Sequence, residues 1–393
     1  MPLLLKILIF IYMAVAFNPD IRVHSMLWYS ITVATSLSMF IYLLIFSRLR
    51  LSRYAWWLIA FNLWGLLSIF WALEQEYVIT FLKTALALMI ILIPLSLIIR
   101  TREDLYTVLK IFVLAVLTTS VYLLLSVDLS LIGVMTFGAS TAGEGWNANA
   151  IGLMTSIAVL VCIVMIKQGV SKPWFVFYLS AIILLAYISL FTGSRKTLFI
   201  LMAGISGYYL LTSRNNKIVV LSGLSGFIFI LYYSILNVPE IYNVLGVRVE
   251  GLLALIVGTG SVDGSTETRM RLIDYGINWF WQNPIIGYGM NNYRTLLIDI
   301  TGANTYSHNN YIELLVNVGI IGAAIYYYIY YYIIRHLLKP ARKKDAVASL
   351  FIILIILLMV IEYGLVSYYE NLMQLLICLG YTATMVIKEK NKE

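Results

Sequence analysis

The chain alternates long apolar stretches with short polar breaks, and this rhythm sets most of its architecture. Twelve stretches are almost free of charge: 3–17, 27–46, 55–71, 78–99, 107–127, 148–166, 174–191, 197–212, 218–236, 311–334, 349–368 and 371–387. A helix needs about 20 apolar residues to cross the hydrocarbon core. Inside lipid every backbone hydrogen bond must be made internally, so runs of this length predict helices. The pattern therefore predicts an all-α polytopic membrane protein of about 12 transmembrane helices. The first stretch is short, but no small-residue cleavage site follows it, so it reads as a retained span and not a removed signal peptide.

Two of the polar breaks are longer than the rest. One covers 128–147 and leads into Gly143-Glu144-Gly145-Trp146-Asn147-Ala148-Asn149. The other runs from about 237 to 310, and loops of that length are usually functional or disordered. It keeps Trp279, Phe280, Trp281, Tyr288 and Tyr293, which argues against disorder. Within it, Met270, Ile273, Ile277 and Phe280 recur at i, i+3, i+7 and i+10. That stripe predicts an amphipathic helix over 267–282, stopped by Pro284 and Gly287. Such a helix is expected to lie at the membrane interface.

Composition agrees with the pattern: 61% of residues are hydrophobic and only 12% are charged. A soluble globular protein is excluded. We treat residues 1–393 as a single integral membrane domain. The net charge of +8 would suit nucleic acid, but orientation accounts for it better. With a cytoplasmic N-terminus, the inner loops hold Arg48, Arg50 and Arg53; Arg100 and Arg102; Lys167 and Lys172; Arg214 and Lys217; and Arg335, Lys339, Arg342, Lys343 and Lys344. The tail adds Lys388, Lys390 and Lys392. The outer loops hold Glu74, Glu76, Asp128, Glu144 and Glu370 with few basic residues. This follows the positive-inside rule and places both termini in the cytoplasm. No nucleic-acid partner is expected. Cys162 and Cys378 fall inside spans and read as buried packing residues.

The informative charges are the basic residues on the outer side. Arg195 and Lys196 sit in the short turn Thr192-Gly193-Ser194-Arg195-Lys196-Thr197. Charges this close to hydrocarbon pair, snorkel or serve function, and an arginine fork beside a lysine suits phosphate. Arg269 and Arg271 lie in the first turns of the loop helix. Lys83 reads as a partner for Glu74 or Glu76. Arg22, Arg248 and Arg294 belong to no motif and read as solvated or lipid-facing charges. His308 opens the last long span, where a histidine of ordinary basicity can accept a proton. Glu313 is five residues on, not ideally placed to orient its ring, and Asn309 and Asn310 are equally suited to capping. His24 and His336 have no comparable surroundings. The run Tyr326–Tyr328 and Tyr330–Tyr332 reads as an aromatic interface belt. Gly287-Tyr288-Gly289 is a weak echo of a phosphate loop, with no strand before it.

Together these residues resemble the O-antigen polymerase and O-antigen ligase superfamily of bacterial envelope enzymes, which includes the Wzy-type polymerases. Ser194-Arg195 resembles the family's short Ser-Arg motif, and Arg269 resembles its loop arginine. Pro284-Ile285-Ile286-Gly287-Tyr288-Gly289 looks like its Pro-x-x-Gly-x-Gly segment. His308-Asn309 with Gly319 and Gly322 looks like its His-Asn motif and following helix, and Asn149 looks like a further family asparagine. These motifs span about 190–325; the N-terminal half agrees by hydropathy alone.

The resemblance implies a GT-C-like membrane glycosyltransferase in the bacterial inner membrane. Its active site would face the extracytoplasmic side, in the 237–310 loop. The implied donor is an oligosaccharide on undecaprenyl pyrophosphate, set among membrane lipids. Arg195 and Arg269 would stabilise the departing pyrophosphate, and His308 would act as general base. Lys196, Arg271, Asn309, Gly287, Gly289 and Asn149 would contact pyrophosphate or glycan. No metal or cofactor is expected. A chain-length regulator and a flippase are expected partners. Polymerisation onto another lipid-linked repeat unit is the favoured reaction, and ligation to lipid A-core is the alternative. A lipid-linked oligosaccharide flippase is the rival of another class, but repeat symmetry and midplane charges are missing from the sequence.

Overall fold

A computed structural model describes residues 1–18, 25–46, 50–126, 147–213, 225 and 264–389. The described residues form helices and no strand. Helices appear at every expected span except 218–236, of which only residue 225 is among the described residues. The 128–146 and 237–263 parts of the polar breaks lie outside them, together with Arg22, His24, Arg48, Arg214, Lys217 and Arg248. The helices are α1 (Leu3–Phe17), α2 (Ser25–Phe46), α3 (Arg53–Leu67), α4 (Gln75–Ile98), α5 (Arg102–Ser126), α6 (Ala148–Lys167), α7 (Lys172–Phe191) and α8 (Arg195–Thr212). Beyond them come α9 (Gly264–Gln282), α10 (Tyr293–Thr301), α11 (Asn310–Arg342), α12 (Ala346–Ile361) and α13 (Asn371–Glu389). Eight of these are long and apolar enough to cross a membrane, so the twelve crossings expected are not reached among the described residues.

The chain divides into two compact units. The first contains 1–31, 101–261 and 337–357. Here α1 packs on α5, with Phe17 edge-on to Phe112 at 5.6 Å. The Met1 amino group lies 3.3 Å from the Asp104 carboxylate. α6 packs on α7 and α8. Gly152 is required there, because a Cβ would overlap the Thr197 hydroxyl. Cys162 is buried on α6, as expected of a packing residue.

The second unit contains 32–100, 262–336 and 358–393. Its central feature is a break in α11 at Gly319, where φ is 64° and ψ is −171°. That conformation is essentially open only to glycine. The segment after Pro284 inserts into the break. The Tyr288 and Gly289 amides donate to the Val316 and Asn317 carbonyls at 2.9 and 2.8 Å. In return the Ile320 and Ile321 amides donate to the Pro284 and Ile285 carbonyls at 2.9 and 3.4 Å. The orphaned groups of a broken helix are thus satisfied by a neighbouring loop, as buried backbone requires. Two indoles hold the splice from outside: Trp64 Nε1 donates to the Val318 carbonyl at 3.1 Å and Trp71 Nε1 to the Ile286 carbonyl at 3.3 Å.

Two expectations about this unit are corrected. The tyrosine run is not an interface belt. Tyr326 and Tyr330 are buried. Tyr327 and Tyr330 donate to the buried carboxylate of Glu362 at 3.0 and 2.5 Å, and Tyr326 pairs with Ser367 at 3.2 Å. Only Tyr328 and Tyr331 of the run are exposed. A run of three covers every face of a helix, so adjacency alone cannot identify the exposed one. The stripe assigned to α9 is also rotated. Leu272, Gly276 and Trp279 face the protein, while Met270 and Ile277 face away. Gly276 sets this rotation: its missing side chain lets α9 sit against Ile312 and Tyr293.

Candidate functional site

The residues expected to carry chemistry fall in both units, and each group is described within its own. In the second unit an apolar cluster fixes the frame. Leu272 and Trp279 of α9, Tyr293 and Leu297 of α10 and Val316 of α11 pack together, with Tyr275, Tyr288 and Ile312 around them. The Tyr293 hydroxyl donates to the Leu272 carbonyl at 2.5 Å, and its amide donates to the Asn317 side chain at 2.6 Å. Burial is the main reason the Tyr293 phenol is pushed far above its usual range, and it stays protonated.

His308 lies at the turn into α11 with φ of 56°, a left-handed conformation for a residue with a side chain. Strain of this kind costs about 1–3 kcal/mol and persists only where the surroundings enforce it. Here they do. The Asn309 side chain accepts from the Tyr311 and Ile312 amides at 3.0 and 3.1 Å, capping the helix. Asn310 accepts from the Ser367 amide at 2.9 Å. Glu313, fully buried, reaches back and accepts from the Ser307 amide at 2.8 Å. It therefore holds the backbone beside His308. Asn309 was expected to contact substrate; its buried oxygen is engaged in the cap. The His308 ring packs on Tyr306 with centroids 4.2 Å apart.

Several charges of this unit act electrostatically on Tyr306. Its phenol is held above the ordinary tyrosine value, first by burial and then by the carboxylates of Glu370 and Glu313; Arg269 and Arg294 pull the other way. Neither arginine lies within 4 Å of a carboxylate among the described residues. Arg294 overturns its reading as a solvated or lipid-facing charge. Its Nε is buried without a hydrogen bond, and its guanidinium lies 5.6 Å from the centre of the Tyr77 ring. No motif marks it in the sequence. Its placement follows from α10, which begins where the Asn292 side chain accepts from the Glu74 amide at 2.7 Å and donates to the Glu74 carbonyl at 3.1 Å. Tyr306 and Glu370 were missed for the same lack of spacing signal.

Arg271 points elsewhere. It is 61% exposed and lies 3.9 Å from Glu267, one turn back. Gly287 and Gly289 serve the splice: a Cβ on Gly287 would lie 2.5 Å from the Val316 carbonyl, and one on Gly289 would meet Ala72 at 2.5 Å. No ion pair joins Lys83 to Glu74 or Glu76 among the described residues; Glu74 instead caps α4.

In the first unit the Ser-Arg turn and Asn149 come together. The Ser194 hydroxyl donates to the Asn149 side chain at 2.7 Å, linking the start of α8 to the start of α6. Gly193 supplies a φ of 63° for the turn, and the Thr192 side chain accepts from the Ser194 amide at 3.3 Å. Arg195 and Lys196 are half-buried in the first turn of α8. Cations are disfavoured at that end of a helix and anions are favoured.

The fold defines a multi-pass helical membrane protein. Residues 180–327, less than half of the chain, match the family model described as O-antigen ligase, so that stretch is similar to the O-antigen polymerase and ligase superfamily that the motifs resemble. The match covers Arg195, Arg269, the splice and His308. No curated protein matches the chain.

Proposed function

We propose that the chain is a surface-polysaccharide polymerase, moving a growing glycan from undecaprenyl pyrophosphate onto a lipid-linked repeat unit. The observation that supports this most is the packing of the strained His308 on Tyr306, with centroids 4.2 Å apart, where Arg269 and Arg294 both act electrostatically on the phenol. Two arginines without a carboxylate partner among the described residues suit a diphosphate, and Tyr306, kept neutral, remains a donor.

In the proposed reaction the acceptor hydroxyl oxygen attacks the anomeric carbon while the bond from that carbon to the phosphate oxygen breaks. His308 takes the hydroxyl proton, a role typically worth about 10²–10⁴-fold. The bonding electrons leave with the pyrophosphate, whose charge Arg269 and Arg294 stabilise in surroundings of low dielectric. Because the leaving group departs as a stable anion, no acid partner is needed, unlike the two-carboxylate glycosidases. Arg195 and Lys196 are proposed to bind phosphate as well. One direct displacement inverts the anomeric centre, and a product of retained configuration would refute it. We place the site on the extracytoplasmic face of the bacterial inner membrane, with both termini cytoplasmic, from the distribution of basic loop residues.

Ligation to lipid A-core is the second reading, favoured by the description of the matching family. One assay separates the two. Purified protein in liposomes receives the lipid-linked repeat unit as sole substrate. A glycan ladder that is lost in His308→Gln supports polymerisation. Product only after lipid A-core is added supports ligation. Transbilayer movement of the repeat unit without any transfer would refute both and leave a flippase.

A further inference from the structure

A groove in the first unit has no part in this chemistry. It encloses about 770 Å³ and is lined by α1, α5, the end of α6 and the start of α7. Its rim carries Lys6, Arg102 and Glu103, and its walls carry Lys110 and Trp174. Farther along α1 and α5 the lining is apolar, with Phe10, the buried Ile111 and the exposed Leu114. From Arg102 to Leu114 the helix rises about 18 Å, roughly one leaflet of a core about 30 Å thick.

The charges in the groove are not balanced locally. Arg102 is engaged with Asp345 at 2.6 Å. Among the described residues, Lys6 and Lys110 make no ion pair, although Glu103 shares the groove. Lys110 sits two turns inside a membrane-spanning helix, with its ammonium 5.3 Å from the centre of the Trp174 ring. A lone cation at that depth is costly and calls for a counter-charge. The apolar stretch and the basic rim select an amphiphile with an anionic head. Arg100, Arg102, Lys167 and Lys172 flank this end of the helices, which is the inner leaflet by the positive-inside rule. Basic pockets between spans on that side bind anionic lipid headgroups.

We propose that this groove binds one anionic phospholipid, its phosphate between Lys6 and Lys110 and an acyl chain along Phe10, Ile111 and Leu114. The test uses native mass spectrometry of detergent-purified protein titrated with phosphatidylglycerol, phosphatidylcholine or inorganic phosphate. One retained phosphatidylglycerol is expected, with affinity falling about fivefold for each of Lys6→Gln and Lys110→Gln. Lys110→Arg keeps the charge and should keep the lipid, and Lys172→Gln, on the same side but outside the groove, should change nothing. Unfolding midpoints of all variants show that they are folded. Equal retention of phosphatidylcholine, indifference to both lysine substitutions, or equal occupancy by inorganic phosphate alone would each overturn the proposal.

Discussion

Gly319→Ala tests whether the break in α11 is built or incidental. At Gly319 φ is 64° and ψ is −171°, so any side chain brings backbone strain of about 1–3 kcal/mol. The new Cβ would also overlap the Ile285 carbonyl, which is backbone and cannot swing aside. Relief requires the inserted segment to withdraw, and four backbone hydrogen bonds cross that contact. Losing half of them adds about 2 kcal/mol at roughly 1 kcal/mol each. The total, about 3–5 kcal/mol, is a large share of the stability of an ordinary domain. Gly302 is the control: its φ is 71°, yet a Cβ there meets nothing within 4 Å. Gly302→Ala should therefore cost only the local strain, about 1 kcal/mol. The assay is the unfolding midpoint in detergent, read by tryptophan fluorescence, because Trp64 and Trp71 donate to the splice itself. A Gly319→Ala midpoint no lower than that of Gly302→Ala would refute the reasoning.

Transfer assays in liposomes should rank the charged residues. Arg269→Gln and Arg294→Gln are each expected to lower turnover by about 10²–10³; Arg271→Gln, whose exposed pair with Glu267 contributes little, should stay within about twofold. In a double-mutant cycle on unfolding, Asn149→Ala and Ser194→Ala should be non-additive by about 1 kcal/mol, since each removes the same hydrogen bond. The raised phenol of Tyr306 binds its proton more tightly in the folded than in the unfolded protein. Its contribution is complete below the unfolded value of 10.0 and is lost as pH rises through the folded one. The unfolding midpoint should thus fall above about pH 10, and Tyr306→Phe should shallow that fall.

The spans were legible because their signal is length and apolarity, which survive any detail of packing. His308, Arg269 and the Ser-Arg turn stood out through spacing within motifs, which marks them as candidates. Arg294 did not, because its placement depends on where α10 starts, and the Asn292 side chain clamped on Glu74 fixes that start. The tyrosine run misled for a related reason. Tyr327 and Tyr330 turn inward to a buried carboxylate at Glu362 that needs donors, more than thirty residues away in sequence. Gly276 hid the inward face of α9, because a stripe count scores glycine as a gap where packing uses it as the point of closest approach.

The glycine motif and the charged cluster are one construction. An unbroken α11 would use the Val316 and Asn317 carbonyls within the helix and leave the segment after Pro284 with no edge to pair with. Breaking it at Gly319 offers those carbonyls to Tyr288 and Gly289 and fixes the register of that segment to within a residue. Three residues later Asn292 and Tyr293 are tied to Glu74 and Asn317, so the next residue, Arg294, has little freedom in where its guanidinium goes. The same helix carries Glu313, whose carboxylate sets the turn at Ser307 and His308. One broken helix therefore positions both an arginine and the histidine without either contributing to the break. It follows that damage to the splice should lower turnover through Arg294 and His308 together, whereas Arg294→Gln should lower turnover and leave the unfolding midpoint nearly unchanged. If Arg294→Gln instead unfolds the protein as severely as Gly319→Ala, the arginine is part of the scaffold and not of the site.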